Sequence, residues 1–83
     1  MIHELKIWPE YFNAVKEGIK TFEYRLNDRN YQVGDTLVLK EYLPESKEYT
    51  GQEVSVVVTY ILPVKDNYVI MSVKLMKENG ISE

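Results

Sequence analysis

The hydrophobic period of the chain changes twice within its first 26 residues. Residues 3–7, HELKI, alternate and predict a short strand, with His3, Leu5 and Ile7 on one face and Glu4 and Lys6 on the other. Pro9 then suits the first turn of a helix, and Tyr11, Phe12, Val15 and Ile19 recur at near-helical spacing. Glu10 complements the N-terminal dipole and Gly18 supplies a stop, so the spacing predicts a helix over about Pro9–Glu17. From 20 to 26, KTFEYRL alternates again: Phe22, Tyr24 and Leu26 share one face, and Thr21, Glu23 and Arg25 share the other.

Beyond the polar loop NDRN (27–30), Gly34-Asp35 marks a turn and Thr36–Tyr42 predicts a strand. LPESKEYTG (43–51) reads as a polar connection, a solvated hairpin tip. Gln52–Leu62 is a long β-branched run that predicts the central strand. A turn over 63–67 and a last strand over Tyr68–Leu75 follow, and residues 76–83 are expected to fray. The order is β-α-β-β-β-β. It predicts a mainly β fold with one helix: a small, mostly antiparallel sheet curled into a barrel, with the helix against one opening. The structural competitor is an open five-stranded sheet covered by the helix.

The chain has 83 residues, which is room for a single domain, 1–83, and excludes a two-domain cofactor enzyme. No apolar run approaches the ~20 residues of a spanning helix. The segment MIHELKIWPE lacks the apolar stretch of a signal peptide, so the expected compartment is the cytoplasm. With no cysteine and one histidine, neither a thiolate zinc site nor a His-rich metal centre is expected, and no cofactor is implied. The net charge is −3; the first 40 residues are balanced and the deficit lies in the second half. An acidic total argues against sequence-independent duplex binding, which depends on phosphate neutralisation, but leaves recognition of a nucleotide in a small pocket open.

The segment richest in chemistry is GIKTFEYR (18–25). Lys20 lies where the helix gives way to the strand, and Glu23 and Arg25 share a strand face at i, i+2 spacing. On spacing alone, the simpler reading is a surface or structural salt-bridge network. If the face lines a cleft, Glu23 can accept from ligand amines and Lys20 and Arg25 can bind an anionic group.

GIKTFEYR matches the G-x-K-x-x-E-x-R signature of the ASCH superfamily at Gly18, Lys20, Glu23 and Arg25. HELKIWPEYFNAV, YQVGDTLVLKEY, TYILP and YVIMSVK further resemble the small bacterial and phage branch known as domain-of-unknown-function family 3850, over roughly residues 2–75. The resemblance implies a PUA-like β-barrel that binds RNA or a modified nucleobase in a cleft between helix and barrel. Lys20 and Arg25 would contact phosphate or carbonyl oxygen, and Glu23 would orient Arg25 or accept from a base amine. Gly18 would be the hinge that turns Lys20 inward.

Some ASCH members hydrolyse the acetyl amide of acetylcytidine with a threonine nucleophile, an activating lysine and a distant glutamate. Lys20 stands at the lysine position, but Glu23 replaces the threonine, and no segment here matches the distant glutamate. Thr21 lies two residues early on the same strand face, and Glu23 can at most activate water. The resemblance therefore favours binding over catalysis. The alternatives are an amidohydrolase acting on an acylated nucleobase through Lys20 and Glu23, and a protein-interaction module of phage or mobile-element origin.

Trp8 is expected to pack the helix onto the barrel, with stacking on a base as the alternative. His3 reads as hydrogen-bonded structure and Lys6 as solvated. Tyr11, Tyr24 and Tyr60 are expected in or near the core, while Tyr31, Tyr42, Tyr49 and Tyr68 are expected at strand ends with a wet edge, Tyr68 being the candidate to border the cleft. Asp28 suits turn chemistry, Arg29 can extend an anion-binding surface, and the face taken by Ser72 stays open.

Overall fold

The structure is a computed structural model that describes residues 1–76; of the expected tail, all but Met76 lies outside them. Its elements are β1 (Ile2–Ile7), α1 (Pro9–Lys16), β2 (Phe22–Leu26), β3 (Thr36–Leu43), β4 (Glu48–Pro63), a 3-10 turn (Lys65–Asn67) and β5 (Tyr68–Leu75). Their chain order is the one the pattern predicts.

The sheet order is β1-β3-β4-β5-β2. β3, β4 and β5 form an antiparallel meander, and β2 joins its far edge antiparallel to β5, from Phe22 opposite Ser72 to Leu26 opposite Tyr68. One pairing departs from the antiparallel expectation: β1 runs parallel to β3, from Ile2 opposite Thr36 to Ile7 opposite Glu41. Parallel neighbours need a long crossover, and α1, β2 and the loop after it supply one. A fully closed antiparallel barrel is also corrected. β1 and β2 are the two ends of the sheet and are not backbone-paired among the described residues, so the sheet is a half-barrel.

Strand β4 is 16 residues long and includes Glu48–Gly51, which the sequence assigns to a polar connection. The turn tightens to Pro44–Lys47, closed by the Lys47 N–H donating to the Leu43 carbonyl at 2.8 Å. Register shifts fall between Lys40 and Tyr42 and between Val58 and Tyr60. Such bulges bend and twist a long strand, which is what a curled sheet requires. The second one also reverses parity. Val54, Val56 and Val58 point inward, the extra residue intervenes, and Ile61 takes the next inward place.

The core joins Leu5 and Ile7 of β1, Phe12 and Val15 of α1, Leu37 and Leu39 of β3, Val56 and Val58 of β4, and Val69, Met71 and Val73 of β5. β2 gives it no hydrophobic side chain; its buried residue is Glu23. The apolar face of α1 is narrower than its sequence implies, because Phe12 and Val15 are buried while Tyr11 is half-exposed and Ile19, beyond the helix, is open to solvent. At the helix end Gly18 takes φ 78°, and the Ile19 and Lys20 amides both donate back to the Ala14 carbonyl. That left-handed residue turns the chain out of α1 and into β2.

Candidate functional site

The half-barrel leaves a seam between its edges, and the charged face of β2 turns into it. Glu23 is 2% exposed, with a cation on each carboxylate oxygen. Lys20 Nζ donates to Oε2 at 2.8 Å, and Arg25 Nε donates to Oε1 at 2.9 Å. Lys20 Nζ also donates to the Phe22 carbonyl at 2.6 Å. Arg25 Nη2 reaches across the seam and donates to the Lys6 carbonyl on β1 at 2.9 Å. Buried carboxylates need partners, and this one is satisfied twice over. In return it fixes the direction of two long, otherwise mobile side chains.

The cluster forms one wall of a cavity of about 460 Å³, within the ~300–1,000 Å³ range of small-molecule sites. Its other walls are aromatic. Trp8 and Tyr11 stack at 6.4 Å between ring centroids with 22° between planes, and Phe22 lies under Lys20 Nζ at 4.7 Å. Trp8 is 49% exposed and Tyr11 46% exposed, so both rings are open to solvent at the cavity. The expected role of Trp8 as a packing residue is therefore corrected: it marks the N-cap of α1 and borders the cavity.

A second cavity, of about 550 Å³, lies beyond the seam and shares Lys6 and Arg25 with the first. Arg29, Lys40, Tyr31 and Tyr49 are among its lining residues. Lys6 Nζ sits over the Tyr42 ring at 4.4 Å. Glu4 accepts from Lys40 at 3.1 Å and raises its pKa.

The structure therefore brings Lys20, Glu23, Arg25 and Trp8 to one cavity, and leaves Thr21 out of it. Thr21 precedes β2, its carbonyl accepts from the Val73 N–H, and it lines a separate hollow beside Val73 and Lys74. Tyr11 and Tyr24 line the cleft with exposed rings instead of entering the core, and Tyr60 is 66% exposed. Tyr31 reverses the other way. It is buried, it meets His3 edge to face at 4.9 Å, and burial raises its pKa. Tyr68 stacks on Tyr24 at 5.1 Å and lines neither cavity. Ser72 shares its hydroxyl hydrogen bond with Thr59 across β4 and β5, at 2.7 Å.

Tyr11 and Phe22 line the cavity although the sequence reading assigns neither to the site; Phe22 stands two residues from Lys20, whereas Tyr11 reaches it only through the turn after α1. The sequence marks Asp35 only as a turn residue. It is buried, paired with the His3 ring at 2.8 Å, and accepts from the Gln32 amide at 3.0 Å. His3 is thus hydrogen-bonded structure, as its strand face suggested. Among the described residues no cluster of side chains suits a metal ion, and no helix is long and apolar enough to cross a membrane.

A family described as "Domain of unknown function (DUF3850)" matches residues 2–73. A relative from Escherichia phage P2, described as an uncharacterized 12.9 kDa protein in the GpA 3' region, is 42% identical over 65 residues. That match covers 78% of this chain and 58% of the phage protein, so the chain spans less than two thirds of its relative's length.

Proposed function

The chain belongs to the DUF3850 family, and from the site it carries we propose that it binds RNA or a modified nucleobase in the cleft between α1 and the seam of the half-barrel. The observation that supports this is the pairing of two cations on one buried carboxylate, beside exposed aromatic rings. Rings of this kind accept a base by stacking, worth ~1–3 kcal/mol per base, and the cations meet phosphate or carbonyl oxygen. Lys20 has one ammonium donor beyond those given to Glu23 and Phe22, and Arg25 keeps the donors not taken by Glu23 and Lys6.

The same reading takes the half-barrel as PUA-like and the chain as an ASCH member. Its support is that each signature position has a separate physical task at one place. Gly18 makes the left-handed turn, Glu23 anchors, and Lys20 and Arg25 are anchored. Glu23 acts here as a positioning residue. Both its oxygens are engaged and it is almost wholly buried, so an amidohydrolase mechanism would have to detach it from a cation before it could activate water.

The test is an NMR titration of the full chain with nucleosides, nucleotides and short single-stranded RNAs, acetylcytidine among them, with acetate followed in the same tubes. Shifts are expected at residues 6–11 and 20–25. Glu23→Gln replaces one acceptor with an amide that faces a cation, and should weaken those shifts about tenfold at a stability cost of about 1–3 kcal/mol. Tyr11→Ala, at a half-exposed position, should weaken them without unfolding the domain. Absence of shifts at millimolar ligand would overturn the proposal in favour of a protein partner, and acetate release would replace binding with catalysis.

A further inference from the structure

Basic side chains are gathered at the seam far beyond their share. Among the described residues, the two cavities are lined by five of the sequence's ten basic residues but by three of its thirteen acidic ones. A chain of net charge −3 thus presents a cationic strip, running from Lys20 through Arg25 and Lys6 to Arg29 and Lys40.

We infer that the second cavity seats the phosphodiester next to the base held in the cleft, so that the ligand is a single-stranded polynucleotide of at least two nucleotides rather than a free nucleoside. This rests on the base-binding reading of the first cavity. It is argued from three features of the second.

The first is continuity. Arg25 and Lys6 line both cavities, and the Arg25 guanidinium is held rigid from both sides of the seam, by Glu23 and by the Lys6 carbonyl. With Nε and Nη2 engaged in this way, the guanidinium holds its Nη1 donors in a fixed direction, which suits capture of a phosphate oxygen. The second is incomplete neutralisation. Arg29 Nε stands 3.9 Å from Asp28 Oδ1, too far for a hydrogen bond, and Lys6 has an aromatic ring but no carboxylate partner among the described residues. The third is Tyr31: its ring is buried, but its hydroxyl makes no hydrogen bond to a described residue and is not among the buried polar atoms, so it reaches solvent at the wall of this cavity. A phenol left this way is a donor for an anionic oxygen.

The chemistry selects among anions. A single strand alternates planar bases with phosphates, and the seam follows exposed aromatic rings with cations: Trp8 and Tyr11, then Arg25, then the exposed ring of Tyr49 in the cavity that Arg29 also lines. An acidic peptide carries the charges without the planar groups. A duplex buries its base faces and needs broader phosphate neutralisation than an acidic protein offers.

The experiment compares the four nucleosides with the four homodinucleotides and homohexanucleotides of RNA, using the full chain and two variants. Arg29→Ala alters only the second cavity and Tyr11→Ala only the first. For at least one base, the dinucleotide is expected to bind about tenfold tighter than its nucleoside. Arg29→Ala should remove most of that gain, lower the salt slope of hexanucleotide binding by roughly 0.7, and leave nucleoside binding unchanged. Tyr11→Ala should weaken nucleoside and dinucleotide together. If the dinucleotide binds no tighter than the nucleoside, or Arg29→Ala weakens both equally, the inference falls while the base-binding reading stands. If pyrophosphate or a polyglutamate peptide shifts residues 25–31 and no nucleoside or RNA shifts residues 6–11, both fall.

Discussion

Asp35 accepts from donors of three kinds: the His3 ring, the Gln32 amide and the Met1 ammonium. The hydrogen bond from His3, more than the others, lowers its pKa from 3.8 to about 2, against the opposing pull of burial. A carboxyl group depressed in the folded state binds its proton more readily when unfolded. Its stabilisation is therefore present above about pH 4 and is lost as pH falls toward 2. Urea midpoints at pH 5, 3 and 2 should fall in that order, and Asp35→Asn should flatten the trend. Asp35→Ala, which strands buried donors, should cost about 1–3 kcal/mol at pH 7. Glu23 is the comparable residue at the site, and there too a single side chain sets the direction of its partners. The two differ in how far the sequence foretells them. Glu23 sits between its partners, at Lys20 and Arg25, so its pairing was readable. Asp35 meets His3 from 32 residues away, and no local pattern announces that contact.

At the scale of elements, the turn from α1 to β2 determines where Lys20 goes. Gly18 holds φ 78°, and a Cβ built there would meet nothing within 4 Å. Gly18→Ala therefore pays only the backbone cost of the left-handed region, about 1–2 kcal/mol, with Gly18→Asn costing less; chemical denaturation separates the two. Strand β2 is where local pattern and tertiary structure part. Its alternation is plain, and Phe22, Tyr24 and Leu26 make the apolar face. An apolar face ordinarily turns to the core, yet here Glu23 is inside and those three side chains are 46%, 57% and 43% exposed. Period-two alternation fixes which residues share a face but not which face is inward. The interior beside β2 is the seam, where Lys20 and Arg25 satisfy a carboxylate and no large side chain is needed. Tyr60 is outside the core for a different reason, the bulge after Val58, which shifts the inward parity by one residue.

For the whole molecule, stability resides in the layer between α1 and the meander. Leu37 is wholly buried within it, and Leu37→Ala should cost about 2–5 kcal/mol. Tyr60→Ser, on the exposed outer face, should stay within about 0.5 kcal/mol. Urea denaturation of the two variants tests that contrast. The half-barrel also explains why the two cavities form. A closed barrel would pair β1 with β2 and fill its interior, whereas the open seam leaves room for a side-chain bridge, from Arg25 to the Lys6 carbonyl, and for a cavity on either side of it.

Several properties were determined by the sequence alone, because each depends on near neighbours: the mainly β composition, the single helix and its glycine stop, the order of elements, and the proximity of Lys20, Glu23 and Arg25. The tertiary structure alone decided the parallel β1–β3 pair, the placement of β2 beside β5, the burial of Tyr31 and the inward turn of Glu23. These depend on contacts between residues far apart in the chain. A strand's hydrogen-bonding edges are the same backbone groups whatever its sequence, so they name no partner, and the choice is settled only when all five strands compete to bury one core.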